Sequence, residues 1–497
     1  MDNPSPQVSS ASEAPGTRTV PILIIGCGFG GIATAIALKK AGMQDFRILE
    51  RAADVGGVWR DNSYPGAACD LVSRYYSLSC EQDYPWSEPF GPRDEIFDYI
   101  HKVVDKYRVR EHVSFNTDVA SARYDDQSAL WTVSTRDGAT LTAPILISAV
   151  GIFNHPQLPD IPGRESFAGK SFHSAWWDHG YALEGKTIGV IGNGASCVQF
   201  LPEIAPKAKQ VHLFQRSPQY VFPKSVFPGT SALDKRLGAS RWLRPLARLK
   251  VFLGLESFVL RRQKNERRLQ GEAWFAKMLE DKIKDPVLRR KLTPDYPLGC
   301  KRQLASDRWY DTLVRPNVEV VDTAIVSIDA GGLYLRDGTE RKVDAIIYGT
   351  GFTPTEFLQP MQVTGRGGRE LREAWRHGAE AYLGISVAGF PNFFMLYGPN
   401  TNGGGIIFML ECQARYIVDC IRTLRRRKAR SMSVRAETQR LFTEELNERL
   451  SRTVWARTDC HTYVKTAEGR VTTQWPGLST EYNWRTRRAR AADYEFA

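Results

Sequence analysis

Three glycines with the spacing of a nucleotide-binding turn lie near the start of the sequence. Gly26, Gly28 and Gly31 follow a short apolar run at 20–25, and a helical pattern follows them. Glycines at these positions allow a tight turn and let backbone N–H groups approach a pyrophosphate at the helix N-terminus. The next apolar run ends in Glu50, 19 residues after Gly31, where a carboxylate suits the hydroxyls of a ribose. Strand, turn, helix, strand and acid together predict a dinucleotide site.

A second glycine turn follows farther along the chain. Gly192 and Gly194 occupy its first two positions, whereas Cys197 stands at the third, where close packing of helix against strand favours glycine. The strand pattern after this turn ends in Arg216 and Ser217 rather than in an acid. An arginine suits a 2′-phosphate, although an ordinary surface cation is the alternative reading. We therefore predict FAD at the first turn and NADPH at the second, held by Gly192, Asn193, Gly194, Ala195, Ser196, Arg216 and Ser217.

Two nucleotide sites in one chain predict hydride transfer from a nicotinamide to a flavin. The eight cysteines show no CxxC pair and no metal-ligand spacing, so neither a redox-active disulfide nor a metal site is predicted. Dioxygen is then the natural acceptor of the flavin's electrons. The alternation of strands and helices predicts an α/β fold with two Rossmann-like dinucleotide-binding domains, one for FAD and one for NADP.

The positive charge of the chain is concentrated in one segment. Of 497 residues, 67 are Lys or Arg and 55 are Asp or Glu, which gives a formal net charge of +12. Residues 231–291 hold 17 of these cations but only 7 of the acids, and no nucleic-acid-binding module accompanies them. Apolar residues recur there at helical spacing between Arg and Lys. This pattern is typical of a buried helix face with solvated charges, or of a helix lying on an anionic membrane.

The N-terminus and the longest apolar runs bear on location. Residues 1–17 are polar and are predicted to form a disordered arm without the features of a signal peptide. No apolar run approaches the roughly 18 residues that a membrane span requires. We therefore expect a cytoplasmic protein without an integral membrane segment and without a nucleic-acid partner, and the oligomeric state stays open.

Two further motifs resemble signatures of one enzyme family. FAGKSFHSAWWD matches the pattern FxGxxxHxxxW through Phe167, Gly169, His173 and Trp177. GGVWRDNSYPGAACD, which begins at Gly56, matches the pattern GGxWxxxxYPGxxxD. Both patterns are fingerprints of Baeyer–Villiger monooxygenases, and the chain resembles that family over nearly its whole length after about residue 18. Related flavin monooxygenases that oxygenate nitrogen or sulfur usually carry Tyr or Phe in place of this tryptophan.

The resemblance implies how the domains are arranged. A discontinuous FAD-binding domain is expected at 18–160 and 370–497, and an NADP-binding domain at 161–369 that contains a helical insertion at 228–295. The connector that carries His173 joins the two domains. In the family this histidine looks structural, coupling domain rotation to cofactor exchange, and a role as a catalytic base is the alternative.

The resemblance also implies the reaction. One oxygen atom of O2 is inserted next to the carbonyl of a small-molecule ketone, which gives an ester or lactone through a flavin C4a-peroxide. Anionic species on this route require a fixed cation and a dry site. Arg302 matches the family's active-site arginine and Asp70 matches the carboxylate beside it, so these two are the predicted catalytic residues. Lys301 is expected to join Arg216 and Ser217 around the 2′-phosphate of NADPH.

Further cofactor contacts follow from the same resemblance. The predicted FAD contacts are Gly26, Gly28, Gly31, Glu50, Gly57, Val58, Trp59, Asp70, Tyr76 and Val119. Ala68 and Cys69 are expected near the nicotinamide, and Arg302 is also assigned to NADP. Two alternatives stay open: a flavin monooxygenase acting on nitrogen or sulfur, and a non-catalytic flavoprotein that senses NADPH. The sequence does not predict which ketone is used.

Overall fold

The computed structural model describes residues 18–240, 242–262, 264–457 and 462–497, so the predicted arm at 1–17 lies outside the described residues. The first part of the chain, up to residue 160, alternates short strands with three α-helices. Its strands are β1 (Arg18–Thr19), β2 (Leu23–Ile25), β3 (Arg47–Leu49), β4 (Val113–Ser114), β5 (Val119–Asp125), β6 (Leu130–Thr135), β7 (Thr140–Ala143) and β8 (Leu146–Ser148). Its helices are α1 (Phe29–Lys40), α2 (Val58–Asp61) and α3 (Arg93–Lys106).

The middle of the chain repeats this alternation and adds a helical segment. Its strands are β9 (Lys170–His173), β10 (Thr187–Ile191), β11 (Gln210–Phe214), β12 (Val221–Phe222), β13 (Leu304–Ala305), β14 (Val318–Val321), β15 (Ile325–Ile328), β16 (Gly332–Leu335), β17 (Glu340–Lys342) and β18 (Ala345–Tyr348). Its helices are α4 (Ala195–Ile204), α5 (Ala232–Ala239), α6 (Arg244–Arg262), α7 (Asn265–Lys282), α8 (Pro286–Leu292) and α9 (Trp309–Leu313).

The last part of the chain is mainly helical. Its strands are β19 (Gln362–Thr364), β20 (Phe393–Met395), β21 (Met432–Val434) and β22 (Tyr494–Phe496). Its helices are α10 (Leu371–Ala374), α11 (Ile406–Arg426), α12 (Ala436–Ser451), α13 (Val454–Arg457) and α14 (Ser479–Arg485).

Two five-stranded parallel sheets organise the molecule. The first has the order β20-β8-β2-β3-β4, and we call it, with the helices packed on it, the first module. The second has the order β14-β11-β10-β18-β9 and defines the second module. In both, the strand before the glycine turn lies in the centre of the sheet, which is the position from which a turn reaches a bound nucleotide.

The first glycine turn leads from β2 into α1. Gly26 has φ +98°, and a Cβ at Gly31 would lie 2.1 Å from the carbonyl oxygen of Gly26. No side chain fits at either position, so the backbone itself forms the contact between strand and helix. Nearly all of α1 is buried, because it packs between the sheet and α11.

The second turn solves the same packing problem with different residues. Gly192 has φ +110°, as Gly26 has a positive φ in the first turn. The thiol of Cys197 is fully buried and occupies the space next to Gly349, where a Cβ would lie 2.0 Å from Sγ. The second turn has Cys197 where the pattern has its third glycine. Gly349, directly after β18, leaves the space that the Cys197 thiol occupies.

The chain returns to the first part of the molecule soon after β18. β19 pairs in parallel with β5, in the five-stranded sheet β1-β7-β6-β5-β19. This pairing starts at Gln362, which is earlier than the return expected at 370. Helices α5 to α8 lie inside the range 228–295 expected for the helical insertion. None of the helices in the described ranges has both the length and the apolar character needed to cross a bilayer.

Candidate active site

A cavity of about 2150 Å³ is lined by residues of both modules and of the last part of the chain. It brings together most of the residues that the sequence predicts. Those on its walls are Val58, Trp59, Ala68, Cys69, Asp70, Tyr76, Gly192, Asn193, Gly194, Ala195, Ser196, Arg216, Ser217, Lys301 and Arg302. Gly26, Gly28, Gly31, Glu50 and Gly57 form the first turn and its surroundings and are not among the wall residues. Val119 is buried at the start of β5, and its contact with FAD stays a prediction.

The first turn offers backbone groups to an anion. Gly28 is the residue before α1, and no side chain hydrogen-bonds to the N–H groups of this helix end. Gly57 has φ +55°, and a Cβ there would lie 3.2 Å from the Cα of Gly28. The two glycine backbones therefore lie against each other without side chains between them. Such a side-chain-free helix N-terminus fits the pyrophosphate of FAD.

Glu50 is buried at the end of β3 and is already hydrogen-bonded within the protein. Its Oε2 accepts from the backbone N–H of Cys27 at 2.8 Å, and its Oε1 accepts from that of Ala52 at 3.1 Å. Arg60 also donates from Nη1 to Oε1 at 2.9 Å. A carboxylate has about four acceptor sites, so capacity for a ribose hydroxyl is left. The role of Glu50 at the ribose stays a prediction. The ion pair between Glu50 and Arg60 is a contact that the sequence did not predict.

An aromatic pair stands beside the first turn. Trp59 in α2 donates from Nε1 to the hydroxyl oxygen of Tyr76 at 3.0 Å. The ring of Phe29, the first residue of α1, meets the ring of Tyr76 edge to face at 5.5 Å. The hydrogen bond satisfies the polar end of each ring, so the remaining ring surface forms an apolar wall of the cavity.

The side-chain amide of Asn193 links the second turn to the strand that follows it. Asn193 donates from Nδ2 to Oε1 of Gln215 and to the backbone carbonyl of Ser217, both at 2.8 Å. A Cβ at Gly194 would meet nothing within 4 Å, and no side chain caps the α4 helix that begins after it. These open N–H groups fit the pyrophosphate of NADPH, and Asn193 fixes the distance between turn and following strand.

Two cations stand close together at the end of the second module's nucleotide site. Lys301 donates from Nζ to the hydroxyl of Ser217 and lies 4.3 Å from the ring centre of Tyr296. Burial, and after it the positive charge of Arg216, lowers the pKa of Lys301 below its ordinary value. Like charges held near each other are relieved by an anion between them. Lys301, Arg216 and Ser217 therefore fit the 2′-phosphate that distinguishes NADPH from NADH.

A charged pair joins the two modules at the cavity. Arg302 donates from Nε to Oδ2 of Asp70 and from Nη2 to Oδ1, each at 2.7 Å. The carboxylate of Asp70 raises the pKa of Arg302 well above its ordinary value, so the guanidinium stays charged at every relevant pH. Just under half of the Arg302 side chain is exposed to the cavity, which leaves its charge available to a bound species.

Comparisons with known proteins agree with this geometry. The family model for pyridine nucleotide-disulphide oxidoreductases matches residues 23–227. A Baeyer–Villiger monooxygenase of Streptomyces coelicolor is 40% identical over 484 residues, which cover 96% of this chain and 92% of that protein. A Baeyer–Villiger monooxygenase of Pseudomonas aeruginosa is 38% identical over 496 residues, covering 99% and 94%. The chain belongs to the Baeyer–Villiger monooxygenase family.

A solved structure with both cofactors bound shares the whole architecture. OTEMO in complex with FAD and NADP superposes with a TM-score of 0.85 at 28% identity, and the match covers 98% of this chain and 100% of that chain. The predicted family and the predicted α/β fold with two Rossmann-like domains are confirmed. Membership also confirms the class of enzyme, an NADPH-dependent flavin monooxygenase of the Baeyer–Villiger type, with FAD and NADPH as cofactors.

One contact that the sequence did not predict joins the modules of this Baeyer–Villiger monooxygenase. Gln199 in α4 accepts at Oε1 from the Tyr64 hydroxyl at 2.8 Å and donates from Nε2 to the carbonyl of Ala68 at the same distance. It thereby fixes the loop that leads to Asp70 against the second module. Nothing in the local sequence marks Gln199, because its partners are more than 130 residues away.

The tail aromatics, which the sequence alone did not locate, partly line the cavity. Trp475 is buried at the cavity wall, and its backbone N–H donates to the carbonyl of Asn402 at 3.0 Å. The guanidinium of Arg449 lies 5.4 Å from its ring centre and is held there by two hydrogen bonds to Glu481, at 2.6 and 2.7 Å. The Asn402 loop and the tail therefore close one side of the site together.

His173 lies at the end of β9 and is not on the cavity wall. Its side chain is fully buried, and its Nδ1 accepts from the backbone N–H of Ala175 at 3.1 Å. Burial lowers its pKa from 6.5 to about 4, so it is neutral near pH 7. Trp177 packs against Phe172 and Phe200, with ring centres 5.3 and 5.2 Å apart. These contacts favour the structural reading of the histidine over a catalytic one.

Proposed function

We propose that this chain inserts one oxygen atom of O2 beside the carbonyl of a small-molecule ketone, with the catalytic roles carried by Arg302 and Asp70. The reaction consumes ketone, O2, NADPH and a proton, and it yields ester or lactone, water and NADP⁺. The observation that carries the proposal is the bidentate pair of Arg302 and Asp70, with both distances at 2.7 Å, on the wall that also holds the second glycine turn.

FAD bound at the first turn supplies the chemistry that activates dioxygen. Arg302 supplies a permanent positive charge where negative charge develops during the reaction, because a guanidinium does not lose its proton. Asp70 holds both nitrogens of one edge of the guanidinium and so fixes its direction. The rings of Trp59 and Tyr76 add apolar surface to the cavity wall, and apolar surroundings strengthen the attraction between the cation and a developing anion.

The apolar cavity walls at and beside the helical insertion favour an apolar ketone as the substrate. Val226 and Phe227, just before the insertion, and Leu255, Phe258 and Val259 within it line the cavity from this side. An apolar wall with a few charged groups at one end favours a ligand that is mostly hydrocarbon and carries one polar carbonyl. The proposed partners are thus an apolar ketone and O2, in the cytoplasm, where NADPH is available.

A ketone panel tests the proposal. Cyclic, linear and aromatic ketones are incubated with the FAD-loaded enzyme and NADPH under ¹⁸O₂, and the products are analysed by mass. We expect a gain of one ¹⁸O atom in an ester or lactone for at least one apolar ketone. Arg302→Ala should abolish this product, whereas the exposed Arg336→Ala should retain it. Oxygenation of a thioether by the same enzyme, with no ester from any ketone, would contradict the proposal.

A further inference from the structure

Helix α6 presents a row of large apolar side chains to solvent. Trp242, just before the helix, and Leu246, Leu249, Leu253 and Leu260 within it are between 50% and 89% exposed. Their spacing of three, four and seven residues places them on one side of the helix. We call these five side chains the leucine face. Monomeric proteins rarely expose a continuous apolar row of this length without a partner.

The rest of the α6 surface is already covered by other parts of the chain. Ala247 and Val251 are buried, and Glu256 accepts from the backbone N–H groups of Ser479 and Thr480 at 2.8 and 3.1 Å. Arg248 donates from Nη1 to the backbone carbonyls of residues 74 and 77. Ala247 and Val251 lie opposite the leucine face, whereas Glu256, three residues after Leu253, lies at its edge. These contacts fix the rotation of α6 and leave the leucine face exposed.

The charges around the leucine face are positive. Between residues 242 and 262 the sequence has one acid, Glu256, and this acid is buried at the edge of the leucine face against the backbone of residues 479 and 480. Lys250 lies on the outer side, one turn after Leu246, where its side chain is nearly half exposed and forms an ion pair with Asp234 at 2.8 Å. Exposed Arg236 in α5 and Lys264 after α6 add further cations. A second copy of this chain would bring the same cations to the contact, whereas an anionic surface would neutralise them.

We propose that the leucine face docks this enzyme on the surface of an anionic lipid bilayer. From Leu246 to Leu260 the face runs for about 21 Å along the helix axis at 1.5 Å per residue, which suits a helix lying in the plane of the interface. The leucines enter the boundary between headgroups and acyl chains, and the flanking cations meet the anionic headgroups. Leu255 and Phe258, on other sides of the same helix, line the cavity, so docking places the cavity wall next to the bilayer. The docking does not depend on the proposed function. Only the idea that docking helps to supply apolar ketones to the cavity rests on that function.

Vesicle sedimentation of the full-length, FAD-loaded enzyme tests the docking without measuring activity. We expect binding to vesicles of mixed phosphatidylcholine and phosphatidylserine, and at least about tenfold weaker partitioning to phosphatidylcholine alone or at high salt. The triple variant Leu246→Gln, Leu249→Gln, Leu253→Gln should lose at least about tenfold in partitioning. Leu441→Gln, on α12, is the matched control, since Leu441 is 52% exposed and is not part of the leucine face. It should bind as the parent does.

A second measurement covers the case in which the triple variant does not fold. Trp242 is 89% exposed, so Trp242→Phe removes a fluorophore without removing a packed side chain. Subtracting the fluorescence emission spectrum of Trp242→Phe from that of the parent gives the emission of Trp242. This emission should shift to shorter wavelength when anionic vesicles are added. Unchanged partitioning of a folded triple variant would overturn the proposal, and so would an equal loss in Leu441→Gln. The proposal would also be overturned if the parent did not bind vesicles but formed a concentration-dependent dimer that the triple variant abolishes. That result would assign the leucine face to a second copy of the chain.

Discussion

Arg302 and Asp70 face each other edge to edge, with Nε and Nη2 each 2.7 Å from a different carboxylate oxygen. Asp70 belongs to the loop between α2 and α3, and Arg302 follows the helical insertion of the second module. The pair therefore links the two modules directly across the cavity. Gln199 supports the same arrangement by holding the carbonyl of Ala68 at 2.8 Å.

The first prediction separates oxygenation from mere consumption of NADPH. Arg302→Ala should keep FAD and should still oxidise NADPH, because both cofactor turns are left intact. Ester formation should fall about 10²- to 10³-fold, since a permanent cation beside a developing anion is lost. Ester and hydrogen peroxide are measured per NADPH consumed, and peroxide should replace the ester. Ester formed at the parent rate would show that Arg302 is not the catalytic cation.

Asp70→Ala should give a milder form of the same phenotype. The arginine keeps its charge and loses only its orientation, so ester formation should fall while coupling is partly retained. Arg336→Ala removes an exposed arginine and serves as the control for both variants. If ester formation falls more with Asp70→Ala than with Arg302→Ala, Asp70 does more than orient the arginine and the proposed roles are wrong.

The second prediction concerns the choice between NADPH and NADH. Lys301→Ala and Arg216→Ala should each raise the KM for NADPH by about 10- to 100-fold, because each removes a charge-assisted contact with the 2′-phosphate. The KM for NADH, which lacks this phosphate, should change little. Steady-state oxidation of both cofactors is the measurement, and the exposed Lys342→Ala is the control. If both KM values rise equally, these residues contact something that the two cofactors share.

The third prediction tests the packing of the second turn. Gly349→Ala places a Cβ about where Cys197 Sγ lies, since the ideal Cβ is 2.0 Å from that sulfur. We expect a loss of about 1–3 kcal/mol in the free energy of unfolding and weaker binding of NADPH. The double variant Cys197→Gly, Gly349→Ala should recover part of the stability, because the third glycine position is restored. Additive losses in the double variant would show that the two residues are not coupled.

The fourth prediction follows from the depressed pKa of His173. Burial lowers this pKa from 6.5 to about 4, so the neutral ring is favoured in the folded state. The resulting stability is fully present above pH 6.5 and is lost as the pH falls toward 4, by up to about 3 kcal/mol. Chemical unfolding at a series of pH values should therefore show a smaller pH dependence for His173→Gln than for the parent.

The same variant separates a structural from a catalytic histidine. His173→Gln should retain FAD and reduction by NADPH while lowering turnover, because the hydrogen bond from the Ala175 N–H to the side chain of residue 173 is weakened. Intact stability and cofactor affinities with complete loss of the oxygenation step would favour the catalytic reading instead.

The sequence predicts the parts of the site that depend on neighbours along the chain. The two turns, their strands and the residues Arg216 and Ser217 follow from local spacing, because strand, turn and helix N-terminus are contiguous. Assigning Arg302 and Asp70 needed the family resemblance, since 232 positions separate them. Contacts set by packing over long distances were not predictable. Gly349 opposite Cys197, Arg60 beside Glu50 and Trp475 beside Asn402 each depend on elements that only the folded chain brings together.

The strand order of the first module has a consequence for synthesis on the ribosome. β8 ends at Ser148, and its neighbour β20 begins at Phe393, so 244 residues must be translated between them. At about 5–20 residues per second this takes roughly 12 to 50 seconds. During that interval α1 also lacks α11, which covers it in the finished fold. The second module is complete before the first, and a nascent chain halted after β18 would expose the apolar side of α1 and an unpaired edge of β8.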